Sequence, residues 1–190
     1  VVPGQECEYC AETRQILEEL AALSDKIHLT VHDFVADAAL AREYGIDKIP
    51  ATVLTGAAKG RVRYFGIPSG YEFSSLIEDI GDVAKGTTNL GDATRAELAK
   101  LNEPLNIQVF VTPTLPYCPG AARLAHKMAI ESPHITADVV EATEFPELVQ
   151  NYGIRGVPKT VVNERVEFEG ALPEPRFLQQ VLRAVNGDKK

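Results

Sequence analysis

The chain has 190 residues, enough for two small domains of under about 100 residues each, and its 45% apolar and 24% charged residues form an ordinary globular composition. A net charge of −8 offers no basic stripe to phosphates, which argues against a nucleic-acid partner, and no apolar run approaches the length that crosses a bilayer, which argues against a membrane one. Three cysteines do not make a disulfide scaffold; the count suits a cytoplasmic redox protein better than a secreted one, and no secretory signal is visible.

In chain order, Val1-Val2 reads as the end of a strand whose beginning the sequence lacks. A helix is predicted over 11–23, a strand over 27–34, a helix over 38–44, strands at 52–54 and 61–65, and a helix over 73–83. Thr94 to Glu97 has the spacing of a capping box, so the stretch from Lys85 to Pro104 is predicted to hold a helix rather than a loose tether. The same order then begins again: strand 107–111, helix 119–130, strand 135–141, helix 145–152 ended by Gly153, strands 159–162 and 165–169, and helix 175–185. A β-α-β-α-β-β-α order predicts an α/β fold, with a mixed sheet covered by helices on both faces. The junction at 86–89 is short, so the two units, 1–86 and 87–190, are expected to pack as one body.

The second half repeats the first at a fixed offset of 108 residues. Cys10 maps to Cys118, Tyr44-Gly45-Ile46 to Tyr152-Gly153-Ile154, Ile49-Pro50 to Val157-Pro158, and Thr52-Val53 to Thr160-Val161. The duplication exposes one change. Copy one keeps Cys7-Glu8-Tyr9-Cys10; copy two reads Leu115-Pro116-Tyr117-Cys118, with leucine where the first cysteine belongs.

A Cys-x-x-Cys at the start of a helix has a specific chemical use. Unpaired amides and the helix dipole favour an anion at the first sulfur, which makes it the attacking thiolate. The second sulfur lies within one turn and resolves the mixed disulfide. Cys7 is therefore the candidate nucleophile and Cys10 the candidate resolving thiol. Glu6, Glu8 and Glu12 oppose the helix effect and predict a less acidic Cys7 than neutral flanks would give. The pair is also half of a zinc site, but two further ligands at finger-like spacing are missing, so no metal is expected. Pro50 and Pro158 stand at strand entries, 40 residues after Cys10 and Cys118 respectively, and the matched spacing predicts a cis peptide facing each loop. His28, His32, His126 and His134 are expected to be surface or half-buried structural residues. Asp33 and Glu141 end equivalent strands and read as solvated strand ends, ahead of a weaker reading as proton acceptors near the cysteines. Tyr9 and Tyr117 are expected to cover the two loops.

These motifs, with Arg63-Tyr64-Phe65-Gly66, Phe73 to Asp79, Phe110 to Pro119, Ala125-His126-Lys127, Val157-Pro158-Lys159 and Val166 to Gly170, give the whole chain a resemblance to the protein disulfide oxidoreductases. These are glutaredoxin-like proteins, typical of thermophiles, that carry two thioredoxin-fold units in tandem. The chain is similar as well to the N-terminal module of the alkyl hydroperoxide reductase flavoprotein, whose two units keep only one active pair. The resemblance implies thiol–disulfide exchange on protein clients and two substrate-positioning cis-prolines, Pro50 and Pro158. It also implies an electron donor resembling the thioredoxin-reductase flavoproteins, and no cofactor beyond the redox-active disulfide. Family members usually carry a Cys-x-x-Cys in each unit. Leu115 therefore leaves the second site degenerate, with Cys118 in the resolving place. The alternative is a non-catalytic module that uses this degenerate site for docking a client.

Overall fold

Alternation along the strands decides the layering. In β3 (Leu105–Val111), residues 105, 107, 109 and 111 face one core and Phe110 faces another, which puts an apolar layer on each side of the sheet. The computed structural model describes residues 7–187. Its other strands are β1 (Ala51–Leu54), β2 (Arg61–Phe65), β4 (Ile135–Glu141), β5 (Lys159–Val162) and β6 (Val166–Glu169). The helices are α1 (Cys10–Ala22), α2 (Ala38–Glu43), α3 (Tyr71–Lys85), α4 (Asp92–Ala99), α5 (Cys118–Glu131), α6 (Pro146–Asn151) and α7 (Glu174–Asn186).

All six strands join one mixed sheet in the order β1-β2-β4-β3-β5-β6. The two copies meet inside that sheet: β2 of the first runs parallel to β4 of the second, from Arg61 opposite Thr136 to Phe65 opposite Val140. One face carries α3, α5 and α7 over the larger core, where Leu76, Met128, Ile130 and Phe177 are fully buried. The other face carries a smaller core around Phe65, Phe110, Val140 and Val161, covered by residues of α6 and by Ile46 and Ala51. Each such side chain contributes about 1.5–3 kcal/mol when removed from water.

The strand predicted over 27–34 does not form; these residues have no regular structure, and Leu29, Val31 and Val35 are exposed. A strand is held by its neighbours. Its counterpart β4 lies between β3 and β2, but the first copy's equivalent of β3 would fall near Val1-Val2, outside the described residues. The capping box also fails. Gly91 is the N-cap of α4, and Thr94 lies inside the helix, with its hydroxyl donating to Glu174 at 3.0 Å. The α2 and α6 ends do match. Gly45 and Gly153 take the left-handed conformation at φ +66° and +59°, and the following amides of Ile46 and Ile154 bond back to Ala41 and Val149 at 2.8 and 2.9 Å.

The seam between the copies is hydrogen-bonded beyond the sheet. The amides of Lys59 and Gly60, in the turn between β1 and β2, donate to Ile130 and Ala129 at the end of α5, at 2.9 and 2.8 Å. Tyr71 N–H donates to Pro113 at 3.0 Å, just ahead of the second redox loop. Arg63 of β2 grips Asp138 of β4 in a two-pronged ion pair at 2.7 and 2.8 Å, both side chains being buried.

Candidate redox site

Cys7 and Cys10 are joined in a disulfide, with their Cα atoms 5.5 Å apart. Cys10 is the first residue of α1 and Tyr9 its N-cap, with no side chain among the described residues capping the end, and first-turn amides favour an anion nearby. Glu12 stands in that first turn and Glu8 between the cysteines. The charge of Glu8, then burial, then Glu12, Glu144 and Glu141 raise the Tyr9 phenol above its ordinary range, a measure of how acidic this corner is.

The Ile49–Pro50 and Val157–Pro158 bonds are both cis. Each proline precedes a hairpin strand, and its carbonyl is held across the hairpin: Pro50 by the Gly66 amide at 2.8 Å, Pro158 by the Gly170 amide at 2.9 Å. The two sites thus share one backbone frame.

Their chemistry differs. Cys118 opens α5, fully buried, whereas Leu115 and Tyr117 are 38% and 72% exposed. Burial pushes the Cys118 thiol up, a hydrogen bond from the Thr112 backbone acts against that, and the charge of Glu72 adds to it. Glu72, from α3 of the first copy, is itself buried, and neither carboxyl oxygen has a hydrogen-bond partner among the described residues. Burial lifts its pKa to about 7; the His126 charge pulls it down and Asp79 pushes it up. The Cys118 thiol therefore feels the charge of a carboxyl supplied by the other unit.

Below Glu72 lies a buried charged cluster that sequence reasoning missed. Asp79 of α3 accepts hydrogen bonds from Tyr64, Arg123 and the His126 Nδ1–H, the last at 2.6 Å. His126 Nε2–H donates to the Arg63 carbonyl at 3.0 Å. Burial opposes both charges, but His126 and Asp79 face each other. The imidazole is held above its ordinary range and the carboxyl below it, with Tyr64 and Arg123 also holding Asp79 down. His126 is thus wholly buried, not the surface or half-buried residue expected. Glu141 is buried as well, accepting from the amides of Thr143 and Glu144, while Asp33 stays exposed and accepts from Val35 and Ala36. A signal was present: Glu72, Leu76, Asp79 and Val83 occupy one stripe of α3, so two acids stand where an amphipathic helix places its apolar residues.

Among the described residues, no three His, Cys, Asp or Glu side chains are grouped to hold a metal ion, and no helix is long and apolar enough to cross a membrane.

A mixed sheet with a Cys-x-x-Cys at a helix start and a cis-proline at the following strand entry defines a thiol–disulfide exchange protein. The chain belongs to the thioredoxin domain family, which matches it twice, over residues 1–78 and 105–183. A protein disulfide oxidoreductase from Aeropyrum pernix has a similar structure, with a TM-score of 0.89 and 30% identity over 97% of this chain and 83% of its own. The thioredoxin of Methanocaldococcus jannaschii is 37% identical over 78 residues, 40% of this chain and 92% of that protein. An alkyl hydroperoxide reductase component from Xanthomonas campestris is 24% identical over 161 residues; this covers 85% of the chain but only 29% of that relative's length. The protein is a thiol–disulfide oxidoreductase with two tandem thioredoxin-fold units.

Proposed function

We propose that Cys7 is the nucleophile, Cys10 the resolving thiol, and unit one the sole catalytic unit. The Cys7 thiolate attacks one sulfur of a client protein's disulfide, and the other client sulfur leaves as a thiolate and takes a proton. Cys10 then attacks the mixed disulfide at Cys7. This releases the second client thiol and leaves the Cys7–Cys10 disulfide, so two electrons pass to the client. A flavoprotein reductase of the thioredoxin-reductase kind restores the dithiol, and the cytoplasm is the compartment in which such a cycle runs. No group beyond the disulfide is needed, and the backbone beside each cis-proline is the edge along which a client chain lies.

The Cys7–Cys10 disulfide at the open start of α1 carries this reading, set against Leu115 at the equivalent place in unit two. The test is reduction of insulin disulfides by the purified chain with a dithiol donor. Cys7→Ser is expected to lose at least about a hundredfold of the rate, and Cys118→Ser to keep it. Substantial turnover by Cys7→Ser would place the chemistry elsewhere.

A further inference from the structure

The redox loop of unit one is bordered by a side chain from unit two. Glu144 lies just after β4, in a short 3-10 turn over Ala142–Glu144. Its Oε2 accepts the Ile67 N–H across the seam at 2.7 Å. It fits there because Gly66, at φ +93°, has no Cβ; one would collide with Glu144 Oε2 and Glu141 Cβ. That same Gly66 holds the carbonyl of cis-Pro50 at 2.8 Å. The equivalent Gly170 in unit two has no described residue within 4 Å of where its Cβ would be. The acid against the proline loop is therefore peculiar to the site that keeps both cysteines.

We propose that Glu144 is a positioning residue of the unit-one redox site, fixing the Ile67–Gly66–Pro50 backbone across the seam and setting the negative charge that the Cys7 thiolate must form against. Groups from each packed element face it. Glu141 from β4 shares its site, with the Thr143 hydroxyl on the Glu141 carboxylate at 2.6 Å. From the redox loop, the charge of Glu8 acts on Glu144, and Glu144 and Glu12 both act on the Tyr9 phenol. The nearby cations are engaged elsewhere: Lys48 pairs with Asp47 and lies over the Phe65 ring, and Arg63 pairs with Asp138. Burial raises the Glu144 pKa to about 7, the Ile67 N–H acts against this, and Glu141 and then Glu8 add to it. Glu144 is thus neutral in mild acid and charged in mild base. In the reduced protein a charged Glu144 then opposes formation of the Cys7 thiolate, and a neutral one does not.

The inference rests on Cys7 being the reactive thiol, and the experiment separates the two. The reduced chain and Glu144→Gln are alkylated with iodoacetamide from pH 5.5 to 9, and the labelled peptide is identified. The glutamine amide oxygen can still accept the Ile67 N–H, so the frame is kept and only the charge is removed. At pH 5.5 the two proteins are expected to react at the same rate. By pH 8 the variant reacts about three- to tenfold faster, the scale of one charge at short range in a partly wet site. Glu144→Asp restores the parental pH profile. Identical profiles, or a rate change equal at every pH, overturn the proposal, the latter because it marks only a loosened loop. Label on Cys10 in place of Cys7 overturns the assignment of the nucleophile instead.

Discussion

Position 115 separates two sites built on one backbone frame. The Cys118 thiol is buried at the first residue of α5, and the Leu115 carbonyl accepts its amide at 3.3 Å, so the turn that would close a disulfide is already wound. Leu115→Cys is expected to create a second redox pair. Oxidation should remove two more thiols per chain than in the parent, and a redox titration should show a second midpoint. Glu8 and Glu12 crowd Cys7, whereas no acid lies between Thr112 and Arg123 in sequence, and Glu72, whose charge reaches Cys118, is neutral below about pH 7. The new thiol at position 115 should therefore be the more acidic nucleophile, and its pair the more oxidising. A thiol count unchanged by oxidant would show that the second loop is not a dormant redox site. Cys7, Cys10, Leu115, Cys118 and both prolines were legible because the duplication supplies an internal reference for each. Glu72, Asp79, His126 and Glu144 were not, since their roles come from the seam between copies, which an offset within one chain does not reveal.

Helices, hairpins and β4 follow from periodicity and from Gly45 and Gly153, whereas the stretch 27–34 pairs with no strand among the described residues. The pairing of β2 with β4 is likewise invisible to local pattern, because Arg63 and Asp138, which join the two strands, lie 75 residues apart and read singly as solvated charges. Close approach at this seam is testable at Gly60. A Cβ there would overlap the carbonyls of Ala129 in α5, of Ser132 just after it and of Ile135 at the start of β4. Gly60→Ala is expected to destabilise the chain by about 1–3 kcal/mol, read as a lower urea midpoint. Gly81 is the control. It lies within α3 with nothing within 4 Å of its missing Cβ, so Gly81→Ala should stabilise by about 0.5–1 kcal/mol. Equal effects at the two positions would mean that the turn between β1 and β2 does not press on α5.

Across the whole molecule, the buried charges make stability depend on pH in a direction that can be worked out. Glu72 has a folded pKa of about 7 against 4.5 for the free side chain. The folded state thus holds the Glu72 proton more tightly than the unfolded chain does. Its contribution is complete below about pH 4.5 and is lost as pH rises through about 7. A shift of this size corresponds to roughly 3 kcal/mol once both states are ionised. His126, raised by Asp79, also loses its contribution on the alkaline side, and Asp79, lowered, loses its own only in acid. The contribution of Glu144 is common to both proteins, so a difference between two proteins reads Glu72 together with its interaction with His126 and Asp79. Glu72→Gln keeps the volume and removes the charge. At pH 4.5 it should match the parent or fall slightly below it, since a neutral amide and a neutral acid both lack partners there. By pH 8 it should be the more stable by roughly 2–3 kcal/mol, a melting-temperature gain of about 5–10 °C for a chain of this size. Thermal melts of both proteins across that range measure it. A difference that stays constant with pH would show that Glu72 is ionised in the folded state at pH 4.5 or reaches solvent. The expected outcome means that the fold bears this carboxyl at neutral pH at a cost to stability. Such a cost marks Glu72 as an acid that does not hold the two units together at neutral pH.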